Sequence, residues 1–359
     1  MRNLKLFTYL WSFPSKPIFS NGSFVLKLGF YTLAGLFAYM LMPFSTSAIE
    51  LAPFATSNQS PLVQIYGLPS AEPATLTGAG RYAVRLSLDA ARNYISDDNA
   101  VESVLLDGET YRTNLNLRYG VNERFEIGFD IPYISHTGGY LDSFIDNFHD
   151  IFNLSDGGRS EAPRDRLAYS YERNGIPLVN LRDSAHGLGD LRLSAAWKLD
   201  RQTGSRLEAL ALRLSLKLPT GESDKLLGSG STDLSLSLNG QREFTLENSR
   251  LAVFASLGAL GMTKGDVLKK QRRNLAVFGS LGLGWAANEW LALKAQLDGH
   301  TSMYKGIGFE EVDSGSLQLV MGASFQVSER TCLELGLSED LWVYTAPDAV
   351  FHLVLRKSF

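Results

Sequence analysis

The chain has 359 residues, a formal net charge of −4 and one cysteine, Cys332. The length suits one large domain or two small ones. The slight acidic balance excludes a dedicated nucleic-acid binder, which carries a basic excess. A lone thiol makes neither an internal disulfide nor a zinc cage, and a mean hydropathy of −0.05 is far too low for a bundle of membrane helices.

In chain order, the first feature is a targeting signal. Lys27 precedes an apolar run over residues 28–42, followed by Pro43 and by Thr46-Ser47-Ala48. Small residues at the −3 and −1 positions predict signal-peptidase cleavage after Ala48, so residues 1–48 read as a signal peptide. The run is shorter than the roughly 20 residues of a spanning helix. Residues 49–80 follow as an N-terminal segment with an apolar stretch at 61–69, expected inside a lumen or along a periplasmic rim.

From residue 81 to 359 the pattern has period two. Tyr82, Val84, Leu86, Leu88 and Ala90 alternate with Arg85, Ser87 and Asp89. Tyr111 to Tyr119 and Phe125 to Tyr133 repeat the alternation. Nine more rows do the same, over residues 191–199, 210–218, 234–238, 251–257, 275–285, 291–297, 317–327, 333–337 and 351–359. Alternation puts one set of side chains on each face of a strand. Twelve such segments, several about 10 residues long, match the length a tilted strand needs to cross a bilayer.

A soluble sandwich alternates too, and two features argue against one. The connections alternate between short turns, such as 120–123, 245–250 and 328–330, and long loops, such as 134–188, 219–231 and 262–274. Outer-membrane barrels have this asymmetry, with the short side periplasmic. The chain also ends on Phe359, with Leu355, Leu353 and Phe351 in its row. That ending resembles the signal read by the barrel-assembly machinery, although Lys357 interrupts it. The fold class is therefore all-β: a transmembrane antiparallel up-and-down β-barrel of about 12 strands in the cell outer membrane. The expected partners are outer-membrane lipids and lipopolysaccharide, with the assembly machinery engaged through Phe359. The expected state is a monomer, with no nucleic acid and no cofactor.

The interleaved rows then face the lumen, with Arg85, Asp89, Arg112, Arg118, Lys198, Arg213, Lys217 and Asp298 as candidate lining residues. On the seventh and eighth strands that face is small: Ala252, Ser256, Gly258, Ala276, Ser280 and Gly282. Either the charges pair and fill the interior, or the basic excess lines a narrow pore that favours anions. The function is correspondingly a narrow or gated channel for small solutes, or a structural envelope role.

In the loop at 134–188, Tyr140, Phe144, Phe148 and Phe152 recur every fourth residue. This predicts one amphipathic helix, placed as a lid over the outer mouth or on the outer leaflet. The Asp142, Asp146 and Asp150 stripe reads as its solvated face rather than a metal site. His136 and His186, with Ser135, Asp183 and Ser184, support an alternative as a lipid-modifying hydrolase, set against polar residues at a loop base. The Gly282-x-Gly284-x-x-Ala287 pattern lies in a strand, with no helix to hold a pyrophosphate.

Four segments carry a family resemblance. Asn58-Gln59-Ser60-Pro61-Leu62-Val63-Gln64-Ile65-Tyr66-Gly67-Leu68-Pro69 resembles the opening of a proteobacterial family catalogued as a domain of unknown function, DUF3187. Tyr140-Leu141-Asp142-Ser143-Phe144-Ile145 with Phe148-His149, Glu161-Ala162-Pro163-Arg164-Asp165, and Gly187-Leu188-Gly189-Asp190-Leu191 are similar to it as well. The resemblance implies an exported outer-membrane barrel and no assigned activity, so no site residues come with it. Gly187-Leu188-Gly189-Asp190 and Leu218-Pro219-Thr220-Gly221 are more loosely similar to small barrels proposed to pass aromatic compounds.

Overall fold

The computed structural model describes residues 48–139, 165–199, 208–342 and 345–359. Its strands are β1 (Tyr82–Asp98), β2 (Glu102–Asn122), β3 (Phe125–Thr137), β4 (Ala168–Arg173), β5 (Ile176–Leu181), β6 (Ala185–Leu188), β7 (Arg192–Lys198) and β8 (Glu208–Lys217). They continue with β9 (Asp233–Thr245), β10 (Arg250–Met262), β11 (Leu275–Ala286), β12 (Leu291–His300), β13 (Ser316–Ser328), β14 (Thr331–Trp342) and β15 (Ala349–Ser358). The helix α1 (Glu310–Asp313) precedes β13.

Pairing is antiparallel throughout the wall, and β15 returns to β1 with Ser358 opposite Ala83 and Ala349 opposite Arg92. The sheet is therefore closed. One side of β3 carries two short strands in succession, β7 along Phe125–Asp130 and β6 along Tyr133–His136. Counting that interrupted pair as one, the wall has the expected 12 strands. The β4–β5 hairpin lies outside the ring, on the outer half of β2.

The alternation sorts side chains in the opposite sense from a soluble protein. Leu257 is 67% exposed and Leu281 55%, whereas Arg85, Ser87 and Asp89 are buried. Water would penalise such a surface, and hydrocarbon does not. At the short-turn end the rings of Tyr82 and Tyr119 lie 4.6 Å apart, and those of Phe125 and Trp197 lie 5.3 Å apart. They form part of an interfacial girdle.

Three expectations need correcting. The first hairpin is longer than its alternating rows: β1 and β2 run to 17 and 21 residues. Residues 91–110 mix polar and apolar side chains without regular alternation, so they give no two-sided signal in this part of the hairpin. The long connection after β3 is not one loop, because it contains β4, β5 and β6. The inner face of β10 and β11 is not uniformly small. It carries Phe254 and Phe278, which fill the space left by Gly282 and Gly258. The helix expected around Tyr140, Phe144, Phe148 and Phe152 lies outside the described residues.

Candidate functional site

Residues 49–78 run through the lumen as two limbs joined by a turn. The first limb starts at the short-turn end, where the Ile49 amide donates to the Glu289 carbonyl between β11 and β12. Gln241 then donates to the Leu51 carbonyl at 2.7 Å and Lys294 to that of Ala52 at 3.1 Å. Gln296 grips Phe54 twice, accepting from its amide at 2.8 Å and donating to its carbonyl at 3.2 Å. Asn58 donates to the Thr345 carbonyl, near the outer end of the wall.

The chain turns at Ser60, whose carbonyl accepts from the amides of Val63 and Gln64. On the way down, the Gly67 amide donates to Asp233 at 2.8 Å. Arg192 donates to the Leu68 carbonyl at 3.3 Å, Arg213 to that of Pro73 at 2.8 and 3.2 Å, and the Thr77 amide to Glu126 at 2.7 Å. The limb leaves at the short-turn end, where the Gly80 amide meets the Gly120 carbonyl. A backbone in a lumen has no neighbouring strand, so its polar groups need side-chain partners. The inward rows supply them.

Charge ties the second limb down further. The Glu72 carboxylate takes Arg85 at 2.6 and 3.2 Å and Arg118 at 3.1 Å. Burial alone would raise its pKa, but Arg85, Arg118 and Arg213 outweigh that and hold it well below the usual carboxylate range. On the first limb, Lys294 sits 4.0 Å from the Phe54 ring centre and bridges to Glu334 at 3.0 Å.

The turn of the segment anchors an apolar cap. Leu62, Val63, Ile65 and Tyr66 share one buried cluster with Tyr169 and Tyr171 of β4 and with Leu268, Met303, Tyr304 and Phe309 of the long loops. The Tyr304 hydroxyl donates to the Leu62 carbonyl at 2.7 Å. Burial raises the phenols of Tyr66 and Tyr304 above their ordinary range.

The lumen-lining candidates are therefore mostly occupied. Arg85, Arg112, Arg118 and Arg213 hold the segment, Arg112 through the Gln64 carbonyl at 3.1 Å. Asp89 lies 2.6 Å from His352, and Asp298 accepts from Gln296. Lys217 is 2% exposed and binds Asp190, Ser229 and the Ser231 carbonyl. Lys198 is half-buried at the short-turn end. Arg192, Asp233 and Lys294 are further members of the charged inward rows read from the sequence, whereas Glu72, Gln241 and Gln296 were not selected. All but Glu72 stand in inward rows, which was the available signal. Glu72 had none, because the segment has no period.

The histidine constellation does not assemble. Ser135 is opposite His186 and His136 opposite Ala185, so the two histidines occupy opposite faces of the wall. His136 is fully buried, with Nδ1 2.9 Å from the Thr110 hydroxyl and Nε2 3.2 Å from the Leu226 carbonyl. His186 is exposed, its ring 6.4 Å from that of Tyr133.

Among the described residues, the lumen holds a succession of cavities. A cavity of about 200 Å³ opens at the short-turn end, lined by Glu50, Glu72, Arg85, Arg118, Arg213 and Arg356 among others. Three cavities of about 30 Å³ each succeed it. Each shares lining residues with the next: Glu72, Arg118 and Arg213 first, then Asp130 and Arg192, then Thr56 and Leu68. Thirty cubic ångströms holds about one or two water molecules.

A closed antiparallel wall with an apolar outside and a charged, occupied interior defines a β-barrel of the outer membrane. The chain belongs to the family described as a protein of unknown function, DUF3187, whose model matches residues 30–359. No curated protein matches it significantly. Its fold is similar to the crystal structure of the COG4313 outer membrane channel from Pseudomonas putida F1, with 14% identity and a TM-score of 0.50, over 83% of this chain and 98% of that one. It is more distantly similar to the NanC porin, with 6% identity and a TM-score of 0.38 over 77% of this chain and 98% of that one. The P. putida toluene transporter TodX matches at 11% identity and a TM-score of 0.36, over 79% of this chain and 91% of that one.

Proposed function

We propose that this protein is a channel for small solutes in the outer membrane, gated by its own residues 49–78. The observation that carries the reading is how the segment is held. It is not a thirteenth strand. Its backbone hydrogen-bonds to side chains of the inward rows, which can let go without opening the wall. Both limbs also end at the short-turn side, at Glu289 and at Gly120. The segment can therefore withdraw as a hairpin toward the periplasm without threading past any other part of the chain. A barrel meant to be solid could be filled by its own wall side chains, whereas this one reserves room for a separate insert.

The test is conductance in planar bilayers. The full chain, exported and purified from outer membranes, should open briefly and in small steps. Deleting residues 49–78 should raise both the step size and the open fraction several-fold. Heat-modifiable electrophoretic mobility would verify that the deleted form is folded. Equal conductance in the two forms would reject gating by the segment. Silence from both would reject the channel and leave the structural envelope role.

A further inference from the structure

We infer that the solute is a small anion, a carboxylate above all, and that it travels a ladder of arginines which the descending limb occupies in the closed state. The inference rests on the gated-channel reading. From the turn downward, Arg112 binds the Gln64 carbonyl and Arg192 that of Leu68. Arg213 binds the Pro73 carbonyl twice, and Arg85 and Arg118 share the Glu72 carboxylate. Four wall strands contribute: β1, β2, β7 and β8. Residues 64–73 thus present a column of oxygen acceptors ending in a full negative charge, which is what an anion in transit would present.

The alternative is that these arginines only neutralise acids of the wall. The pairing decides against it. Arg118 does bind Asp130 at 2.8 Å, and Arg213 binds Glu126 at 2.9 Å. For Arg85, however, the only ion pair among the described residues is with Glu72 of the segment. Neither Arg112 nor Arg192 has any among them. Withdrawal of the segment leaves these three guanidiniums without a direct ion pair, with Asp89, Asp130 and Asp190 lining the same space as Arg112 and Arg192, and arginine cannot shed its proton to compensate.

The vestibule agrees. Of the three carboxylates lining it, Glu50 and Glu72 belong to the segment and leave with it. Glu126 stays, facing Arg81, Arg85, Arg118, Arg213 and Arg356. With five arginines against one glutamate, a low-dielectric vestibule of predominantly positive charge concentrates anions and disfavours cations. The segment is thus both a steric plug and an internal counter-ion, and anion selectivity belongs to the open state.

The test is ion selectivity of the full chain in a potassium chloride gradient, with potassium acetate then replacing chloride on one side. The reversal potential of open events should favour chloride over potassium several-fold, and acetate should carry current. Glu72→Gln should lengthen the openings and keep that preference. Arg112→Gln with Arg192→Gln orphans no carboxylate among the described residues, and it should lower the preference several-fold. A cation preference, no preference, or a preference unmoved by the double variant overturns the inference while the channel stands. If the double variant fails to fold, the sign of the reversal potential in the native chain decides by itself. Absence of openings in every form, Glu72→Gln included, removes the channel and this inference with it.

Discussion

Glu72 shows how one side chain sets the conditions for gating. Arg85, Arg118 and Arg213 surround it, with Glu126 and Arg356 lining the same vestibule. Its pKa in the folded protein is lowered relative to the unfolded chain. Its contribution to holding the segment is therefore complete above the ordinary carboxylate range, and is lost only as pH falls through the lower folded value. The open fraction should stay flat from pH about 7 to about 4 and rise only below that. Glu72→Gln should open more at neutral pH and lose the acid-side rise. Bilayer recordings across that range check both. A rise centred near pH 5 that persists in the variant would place the sensor elsewhere. No reading of the sequence could have found this residue. A carboxylate in a segment without period looks like any surface glutamate until three strands bring arginines to it.

The elements were more legible, because lipid enforces the alternation that a row of leucines displays. The limits are equally physical. Above the bilayer no lipid face is demanded, so the outer halves of β1 and β2 and the whole of β4 and β5 left no two-sided pattern. The row from 191 to 199 is β7 alone, and β6 read as part of the long connection, because the wall is interrupted between Leu188 and Arg192. There the Gly187-Leu188-Gly189-Asp190 and Leu218-Pro219-Thr220-Gly221 motifs close on one another. The Thr220 hydroxyl donates to the Gly189 carbonyl at 3.0 Å and accepts from the Leu191 amide at 2.9 Å, and Asp190 accepts from the Gly221 amide at 2.8 Å. The motifs were visible in the sequence, but their partnership spans about 30 residues and was not. Lys217 completes the clasp between Asp190 and Asp233, and Asp233 also receives the Gly67 amide of the segment. Lys217→Met would leave two buried carboxylates without their cation. Breaking a buried pair from one side costs about 3–5 kcal/mol, so the urea midpoint of the folded barrel should drop clearly. An unchanged midpoint would mean that the clasp contributes nothing to stability.

At the scale of the molecule, the two ends differ in kind. The outer end carries an apolar cap built on the turn of the segment, and the other opens into a charged vestibule. The sequence showed which end had short turns, but not that the long loops pack into a second core, because loop residues pack without a repeating pattern. The asymmetry predicts sided chemistry. Thr75 is exposed at the vestibule, and Asp183 is exposed in the three-residue turn between β5 and β6, at the long-loop end. Cys332, the one cysteine, is 7% exposed and serves as an internal control. In intact cells a bulky, membrane-impermeant maleimide should label Asp183→Cys and spare Thr75→Cys. Permeabilising the outer membrane should then expose Thr75→Cys, with Cys332 unlabelled throughout. Reversed labelling would turn the barrel over and put the arginine vestibule toward the environment. The segment would then withdraw outward, and a gate facing the periplasm would have to be abandoned.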